Sequence, residues 1–373
     1  MFARTTPPFR ADHVGSLIRP DALISARQAA DEGKIAPGEL TRVQHDAIRD
    51  VVRLQEEIGF RVATDGEYNR TFWQRDFLLK FRNVEQVAAK LTVRFHSAAG
   101  TRAHSPPSLQ VIGKLARPAG IFVDDFEFLK SVAHATPKIT IPSPTTIHFR
   151  GGRQAVDANA YPDIGQFYAD LARVYREEID DLAQAGCRYL QIDEVNLAYL
   201  CDPALRAQVR NIGEDPDTLP QTYARLLNDT IAARPAGMVV CMHLCRGNFA
   251  GAWVAEGGYD PIAELLFNEI AVDGYFLEYD SPRAGSFAPL RFLPKGKIAV
   301  LGLVSTKSAK LETKDDLMRR IDEASHYAPL EQLALSPQCG FSSGIGGQAM
   351  TVTDEIAKLK LVVNTACEVW GSA

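Results

Sequence analysis

The stretch FYADLARVYREEIDDLAQAGCRYLQID, at residues 167–193, decides the fold class. Its first part, from Phe167 to Ala185, is amphipathic with helical spacing, and Gly186 is a typical helix end. Residues 189–193 (YLQID) follow at once and are predicted to form a strand. A helix followed directly by a strand is the repeating unit of a parallel α/β fold, so this stretch predicts that architecture.

The same unit recurs along the rest of the chain. Strands are predicted at residues 11–14, 61–65, 138–142, 189–193, 238–243, 275–278, 297–302 and 333–336, and helices at 33–59, 167–185, 223–233, 261–270, 314–327 and 353–370. Eight strands with crossover helices predict one (β/α)8 TIM barrel over residues 1–373. An open doubly wound sheet should carry a glycine fingerprint after its first strand, and residues 13–17 do not contain one.

An insertion is predicted after the second strand. Residues 70–137 are too many for a loop between a strand and a helix. Within them, residues 91–95 and 109–115 are strand-like and flank a stretch rich in Gly, Ser and Pro. We therefore expect these two runs to form an inserted hairpin.

Composition excludes several functional classes. The 373 residues carry 41 Lys and Arg against 46 Asp and Glu, a net charge of −5. A nucleic-acid binder would need a basic face, so we expect no nucleic-acid partner. Without a long apolar stretch or a signal-peptide pattern, we expect a cytoplasmic protein with no membrane partner. The six cysteines are scattered, which favours core thiols or metal ligands over disulfides, and the oligomeric state stays open.

Polar side chains follow the predicted strands, at the end where a TIM barrel holds its active site. His243 and Cys245 are two residues apart, and on an extended chain such side chains share a face. Glu278 ends the next strand, and Cys339 follows the last one. One imidazole, one carboxylate and two thiolates suit tetrahedral Zn²⁺, whereas Mg²⁺ and Ca²⁺ prefer oxygen ligands. The alternative is that the cysteines are core thiols and the histidine is a hydrogen-bonded core residue.

Sulfur-rich zinc ligands favour one kind of chemistry. A zinc ion with two protein thiolates binds a substrate thiol as a nucleophilic thiolate, which suits S-alkylation. Water activation more often uses histidine and carboxylate ligands. Glu67 and Asp193 lie at the same predicted strand ends and could bind the ammonium group of an amino-acid substrate. Their alternative roles are helix capping and ion pairing with arginines.

Six segments resemble the cobalamin-independent methionine synthase family and occur in the family's order. They are residues 10–16 (RADHVGS), 65–67 (DGE), 191–194 (QIDE), 242–245 (MHLC), 276–278 (FLE) and 336–340 (SPQCG). Residues 242–248 and 277–280 look most like the short, single-barrel bacterial branch. The resemblance implies a zinc enzyme that transfers a methyl group from 5-methyltetrahydrofolate, usually polyglutamylated, to homocysteine, giving methionine.

The resemblance also implies roles for individual residues. The metal ligands would be His243, Cys245, Glu278 and Cys339. The substrate residues would be Glu67 and Asp193 for the ammonium group of homocysteine, and Ser16 for its carboxylate.

Two departures from the family concern the methyl donor. The long enzymes have a proton-passing histidine after the seventh strand, and the aligned residue here is Lys307. Lys307 thus joins Glu67 and Asp193 as a catalytic candidate. The long enzymes also stack the pterin on a tryptophan just after the third strand, and residues 144–150 contain none. Trp73 is either a substitute platform or a packed aromatic side chain.

Other functions stay open. The single-barrel group also resembles epoxyalkane:coenzyme M transferases, which alkylate a thiol sulfonate by opening an epoxide. Arg246 could hold such a sulfonate, or it could pair with a neighbouring carboxylate. A zinc-dependent alkyl transferase acting on another thiol, or using a different methyl donor, is therefore the alternative. A non-catalytic zinc-binding barrel and a zinc hydrolase are further alternatives.

Overall fold

The computed structural model describes residues 4–88, 93–97, 100–104, 107–345 and 349–373. The strands are β1 Val62–Ala63, β2 Arg82–Val87, β3 Val93–Ser97, β4 Gly100–His104, β5 Ser108–Ala116, β6 Thr136–Pro137, β7 Ile139–Pro142, β8 Tyr189–Asp193, β9 Val239–Leu244, β10 Gly274–Glu278, β11 Ile298–Val304 and β12 Leu333–Pro337. The α-helices are α1 Asp21–Asp31, α2 Pro37–Ile58, α3 Arg75–Leu78, α4 Val123–Val132, α5 Thr146–Phe149, α6 Ile164–Gln184, α7 Asn196–Tyr199, α8 Pro203–Asn211, α9 Leu219–Ile231, α10 Ala263–Glu269, α11 Lys314–Ser325 and α12 Val352–Trp370.

A six-stranded parallel sheet forms the centre of the fold. Its strand order is β12-β11-β10-β9-β8-β7, so consecutive strands along the chain are neighbours in space. Strands β8 to β12 are buried along nearly their whole length, as expected for a parallel sheet covered by helices. The predicted parallel α/β architecture is therefore confirmed, and all six strand ends point to the same edge.

The first two predicted strands contribute less pairing than expected. Residues 11–14 form no strand, and Ala11 makes a single parallel bridge to Leu335. The predicted strand 61–65 shortens to β1, which pairs in parallel with β6 rather than with the six-stranded sheet. The described pairings thus give an open six-stranded sheet with these two flanking elements.

Side chains explain both losses of pairing. The backbone N–H of His13 donates to the Asp12 carboxylate instead of to a neighbouring strand. Both backbone groups of Thr64 bond to the side chain of Gln55 on α2, at 2.9 Å each. Local polar partners satisfy these backbone groups and so end the ladder early.

The long helices follow their sequence patterns closely. Helix α6 begins at Asp163, whose carboxylate accepts a hydrogen bond from Gly165 N–H, a typical N-cap. Helix α2 ends at Gly59, whose φ of 105° is a left-handed conformation that favours glycine. Helix α12 begins with a capping box formed by Thr351 and Asp354. Among the described residues, no helix combines the length and apolar character needed to cross a bilayer.

The insertion differs from the predicted hairpin. Strand β5, which includes residues 109–115, pairs antiparallel with β2, and β3 pairs antiparallel with β4. The two predicted strands therefore do not pair with each other, and Leu91 and Thr92 of the first lie outside the described residues. Strand β3 instead pairs with the segment that follows it directly, which closes the shorter loop.

Two contacts tie the insertion to loops that follow the sheet. The hairpin of β3 and β4 bridges to the loop after β9, because His96 and Trp253 exchange backbone hydrogen bonds of 2.7 and 2.9 Å. Near the start of the insertion, Phe72 bridges to Gly344, and Trp73 N–H donates to the carbonyl of Ser343 at 3.1 Å. The insertion is thus placed over the C-terminal edge of the sheet.

Candidate active site

A cavity of about 830 Å³, including its open mouth, lies at the C-terminal ends of the strands. It is lined by Val14, Ser16, Glu67, Phe72, Trp73, Phe95, Arg150, Asp193, Val195, Tyr199, His243, Cys245, Gly247, Asn248, Phe249, Cys339, Gly340 and Ser343. Six of the nine residues predicted from the sequence to form the site line this one cavity. Most of the other walls are apolar or aromatic.

Three ligand-type side chains converge in this cavity. The ligand atoms of His243, Cys245 and Cys339 all lie within 4.8 Å of one another, and the two sulfur atoms are 3.8 Å apart. His243 lies near the end of β9, Cys245 directly follows that strand, and Cys339 follows β12. The ends of these two strands therefore bring the three side chains together. The thiol of Cys339 donates to the Cys245 sulfur and holds the pKa of Cys245 well below its usual range.

These residues fit a bound metal ion. Both ring nitrogens of His243 are buried, and neither has a hydrogen-bond partner among the described residues. A buried imidazole without partners is unfavourable, unless a ligand to one nitrogen compensates for the lost solvation. Two sulfurs and one imidazole nitrogen are donors that Zn²⁺ prefers. The donor set and the unpartnered imidazole therefore agree on a thiolate-rich metal site.

Glu278 lies close by but belongs to a different cluster. Its carboxylate accepts hydrogen bonds from the Arg283 guanidinium at 2.5 Å and from the backbone N–H of Arg246 at 2.6 Å. The Lys307 ammonium lies 3.4 Å from the same carboxylate. Burial disfavours its charge, but Lys307, Arg246 and Arg283 outweigh burial and lower the pKa of Glu278 to about 2. Glu278 is not part of the His243, Cys245 and Cys339 group.

Lys307 and Arg246 are not brought into the cavity. The Lys307 ammonium points at Glu278 and does not line the cavity wall. The Arg246 guanidinium is fully buried and donates to the backbone carbonyls of Gly257, Glu278 and Ala284. It also lies over the Tyr259 ring, 4.2 Å from its centroid. This placement favours a role for Arg246 in fixing the loop after β9.

Glu67 and Asp193 form a second acidic region, which does line the cavity. One oxygen of Glu67 accepts from Thr140 at 2.8 Å and lies 3.4 Å from Arg70, while the other is buried without a partner among the described residues. One oxygen of Asp193 accepts from Gln191 at 2.7 Å. Burial raises the pKa of both, that of Asp193 to about 7. The pair lacks a full complement of cationic partners and could accept one from a ligand.

Ser16 is held against the loop that carries Cys339. A side chain at Gly340 would place a Cβ only 1.9 Å from the Ser16 hydroxyl oxygen, so glycine is required there for this approach. Ser16 is buried and lines the cavity. It therefore lies where the sequence predicts a substrate-binding residue.

The structure adds cavity residues that sequence reasoning did not assign. Arg150, which follows α5, and Tyr199, which ends α7, both line the wall. Asn248 donates to Thr306 and to the carbonyl of Gly340, at 2.9 and 3.1 Å. Each of these residues lies four to eight residues beyond the end of a parallel strand, and this position alone could have marked it as a candidate cavity residue. Trp73 also lines the cavity.

Fold and site together define a class: parallel α/β proteins that hold an imidazole, two thiols and an acidic pair in one cavity at the strand ends. The family model for the catalytic domain of cobalamin-independent synthases matches residues 9–367. The chain belongs to this family, and the resemblance seen in the sequence is confirmed. Membership identifies the chain as a methyltransferase of the methionine synthase type.

Individual relatives and solved structures are similar over nearly the whole chain. The chain is 41% identical over 365 residues to the uncharacterized protein YxjH of Bacillus subtilis, covering 97% of this chain and 95% of the relative. It is 27% identical to the methionine synthase of Saccharolobus solfataricus, covering 88% and 86%. A solved structure from Listeria monocytogenes matches with a TM-score of 0.79 and 34% identity, covering 99% of this chain and 100% of that one. A B12-independent methionine synthase from Shewanella, solved with selenomethionine, shares the fold with a TM-score of 0.71, 18% identity, and coverage of 96% and 97%.

Proposed function

We propose that this protein transfers a methyl group to the sulfur of homocysteine and so makes methionine. The proposed donor is 5-methyltetrahydrofolate in its polyglutamate form. The observation that supports this most is the presence of a His/Cys/Cys group and an acidic pair in one cavity. The first suits a substrate thiol, and the second suits the ammonium group of the same substrate.

We assign Zn²⁺ to His243, Cys245 and Cys339, with Glu278 as a fourth ligand on the basis of the family resemblance. A zinc ion held there would keep the substrate sulfur as a thiolate at neutral pH. Glu278 would have to leave its contact with Arg283 to reach the ion. Lys307 would act through Glu278, whose carboxylate it contacts at 3.4 Å; direct proton transfer from Lys307 is the rival role.

The other residues bind and orient the amino acid. Glu67 and Asp193 bind the ammonium group with the oxygens that face the cavity, and their pKa values fall when that cation arrives. Ser16 donates to the carboxylate. The aromatic walls exclude water, which strengthens these charged contacts and protects the thiolate from protonation.

We also propose that the strands close into a complete (β/α)8 barrel. The bridge from Ala11 to Leu335 continues the sheet beyond β12, and β1 pairs with β6, which runs directly into β7. Closure between residues 11–14 and β1 would complete the ring. It would also place Ser16 and Glu67 at neighbouring strand ends, as the substrate role requires.

The test is product formation by the purified, zinc-loaded protein. We expect methionine, measured by mass spectrometry, from homocysteine and 5-methyltetrahydrofolate in the mono- or triglutamate form. Cys339→Ser should lose most bound zinc and all transfer, whereas Cys367→Ser, at an exposed thiol on α12, should retain both. Full zinc occupancy and full activity in Cys339→Ser would overturn the ligand assignment.

A negative result would also be informative. If zinc binds and homocysteine perturbs the metal site but no methionine forms, the folate donor is wrong. Coenzyme M with an epoxide, and other methyl donors, are then the substrates to supply. Hydrolysis without any thiol would favour a zinc hydrolase instead.

A further inference from the structure

Arg150 is a guanidinium in the cavity wall without a partner of its own. It follows α5 and is only partly buried, and it lines the same cavity as the acidic pair. Across the described residues, its side chain makes no hydrogen bond and no ion pair. Partial desolvation of a guanidinium is unfavourable, so an anion that enters the cavity would gain from pairing with Arg150.

The charges around Arg150 differ from those around Glu67 and Asp193. Burial lowers the pKa of Arg150, and the other groups that act on it are the Tyr199 phenol and the Arg75 guanidinium. Within the described chain, neither carboxylate of the acidic pair is among them. Arg150 is also the sole lysine or arginine among the described residues of the cavity wall. The cavity wall therefore carries two carboxylates and one guanidinium that forms no ion pair with either of them.

The cavity wall that contains Arg150 is rich in aromatic side chains. Phe72 and Tyr199 line the cavity with Arg150, and the Arg75 guanidinium lies over the Phe72 ring at 4.9 Å. Trp73 is held in the same wall by its backbone bond to Ser343. Aromatic faces bind flat apolar groups, and an unpaired guanidinium binds planar anions such as carboxylates in a bidentate manner.

We propose that Arg150 binds an anionic group (carboxylate, sulfonate or phosphate) of the second substrate, the methyl donor, whose flat apolar body lies against the aromatic wall. This inference rests on the proposed transfer to a thiol, which uses Glu67 and Asp193 for the amino acid. It makes Arg150 a specificity residue for the donor. It also assigns the carboxylates and the guanidinium of the cavity wall to different substrates.

Calorimetric titration with four probes that share one ring tests the assignment. The probes are p-aminobenzoate, p-aminobenzenesulfonate, p-aminophenyl phosphate and the neutral p-aminobenzamide. At least one anionic probe should bind the wild-type protein ten or more times more tightly than the amide. Arg150→Met should remove that preference and leave amide binding within twofold, and Arg150→Lys should retain part of it. Arg225→Met, which removes an exposed arginine, should behave as wild type.

The probe ranking identifies the anion, and a second measurement separates the two substrates. In Arg150→Met, the KM of the donor should rise at least tenfold while the KM of homocysteine stays within twofold. Equal binding of all four probes to the wild type, or an unchanged preference in Arg150→Met, overturns the proposal. A rise confined to homocysteine also overturns it, because Arg150 would then bind the amino-acid carboxylate. If the wild type makes no methionine, the proposed function fails, and the probe titrations still decide the role of Arg150.

Discussion

Two acidic regions lie beside the His243, Cys245 and Cys339 group, and they differ in how far the chain compensates their negative charge. Glu278 is fully buried among three cations of the chain itself, and its pKa is lowered to about 2. Asp193, at the end of β8, is also buried, yet its pKa is raised to about 7 because burial outweighs its partners. The sheet places both carboxylates at strand ends, so the difference comes from the loops around them.

The difference indicates whether the cation that pairs with each carboxylate comes from the chain or from a ligand. A buried carboxylate is stable only when cations or N–H donors compensate for lost solvation. Around Glu278 the chain supplies that compensation from Arg283 and Lys307. Around Asp193 the chain leaves it incomplete, and an incoming ammonium group can complete it. The compensation around Glu278 suits a structural or metal-linked carboxylate, whereas its absence around Asp193, which lines the cavity, suits a binding site.

The largest effect is expected from Glu278→Ala. The substitution leaves the Arg283 and Lys307 charges buried without their anion, which should lower the free energy of unfolding by about 3–5 kcal/mol. Urea unfolding of the EDTA-treated protein measures this without a contribution from bound metal. Glu278→Gln combined with Arg283→Met should recover part of the loss. A loss below about 1 kcal/mol for Glu278→Ala would remove the basis of the comparison.

Glu355 on α12 provides a third buried carboxylate, which does not line the cavity. It accepts one N–H, from Ile18 at 3.1 Å, and burial raises its pKa to about 8. The folded chain then keeps a proton that the unfolded chain releases above about pH 4.5, so stability falls as the pH rises toward 8. Glu355→Gln keeps a neutral acceptor and removes this fall. Its stability relative to wild type should therefore increase by about 3 kcal/mol between about pH 5 and pH 8.

Urea unfolding at the two pH values checks the Glu355 prediction. Glu127→Gln, at an exposed glutamate, is the matched control and should show no such increase. A constant difference between Glu355→Gln and wild type across the two pH values would contradict the assigned titration.

Asp193→Asn tests whether Asp193 binds the ammonium group of the substrate. Losing one charged hydrogen bond to the ammonium group should weaken homocysteine binding by about 1.5–3 kcal/mol, or roughly 10–100-fold. Bound zinc should be unchanged. The matched ligand is 4-mercaptobutyrate, which lacks the amino group and should bind the variant and the wild type within about threefold. Equal weakening for both thiols would place Asp193 elsewhere than at the ammonium group.

The smallest effect is expected from Lys307→Met. Arg283 and the backbone N–H of Arg246 still hold Glu278, so the free energy of unfolding should fall by only about 1 kcal/mol. If Lys307 acts through Glu278, the pH profile of transfer keeps its shape and Lys307→Arg restores the rate. Loss of one limb of the profile would instead assign proton transfer to Lys307.

Local sequence patterns were sufficient where local interactions decide the structure. Helices α6 and α12 carry their apolar spacing and caps within a few residues, and the buried strand β8 begins three residues after Gly186. Residues 11–14 are also predicted as a strand but form only a single bridge. The Asp12 side chain takes the backbone N–H of His13, and Gln55, on the preceding helix α2, takes both backbone groups of Thr64. Such partners are invisible to a pattern of apolar residues.

The same limit applies to the site. His243, Cys245 and Cys339 could be predicted together, because parallel strands end at one edge of a sheet. The inward turn of Arg246 could not, because it depends on carbonyl groups further along its own loop and in the loop after β10. The environment of Arg150 likewise depends on the insertion, whose strand pairing the sequence did not reveal.

The two contacts between the insertion and the sheet loops also bear on how this cavity diverges among descendants of one ancestor. The ligand residues come from strand ends, whereas Phe72, Trp73 and Phe95 come from an inserted segment joined to the sheet loops partly through backbone hydrogen bonds. Backbone joints tolerate changes of side chain. Mutations can therefore rebuild the mouth of the cavity while the ligand residues stay as they are, and selection can act on the two substrates separately.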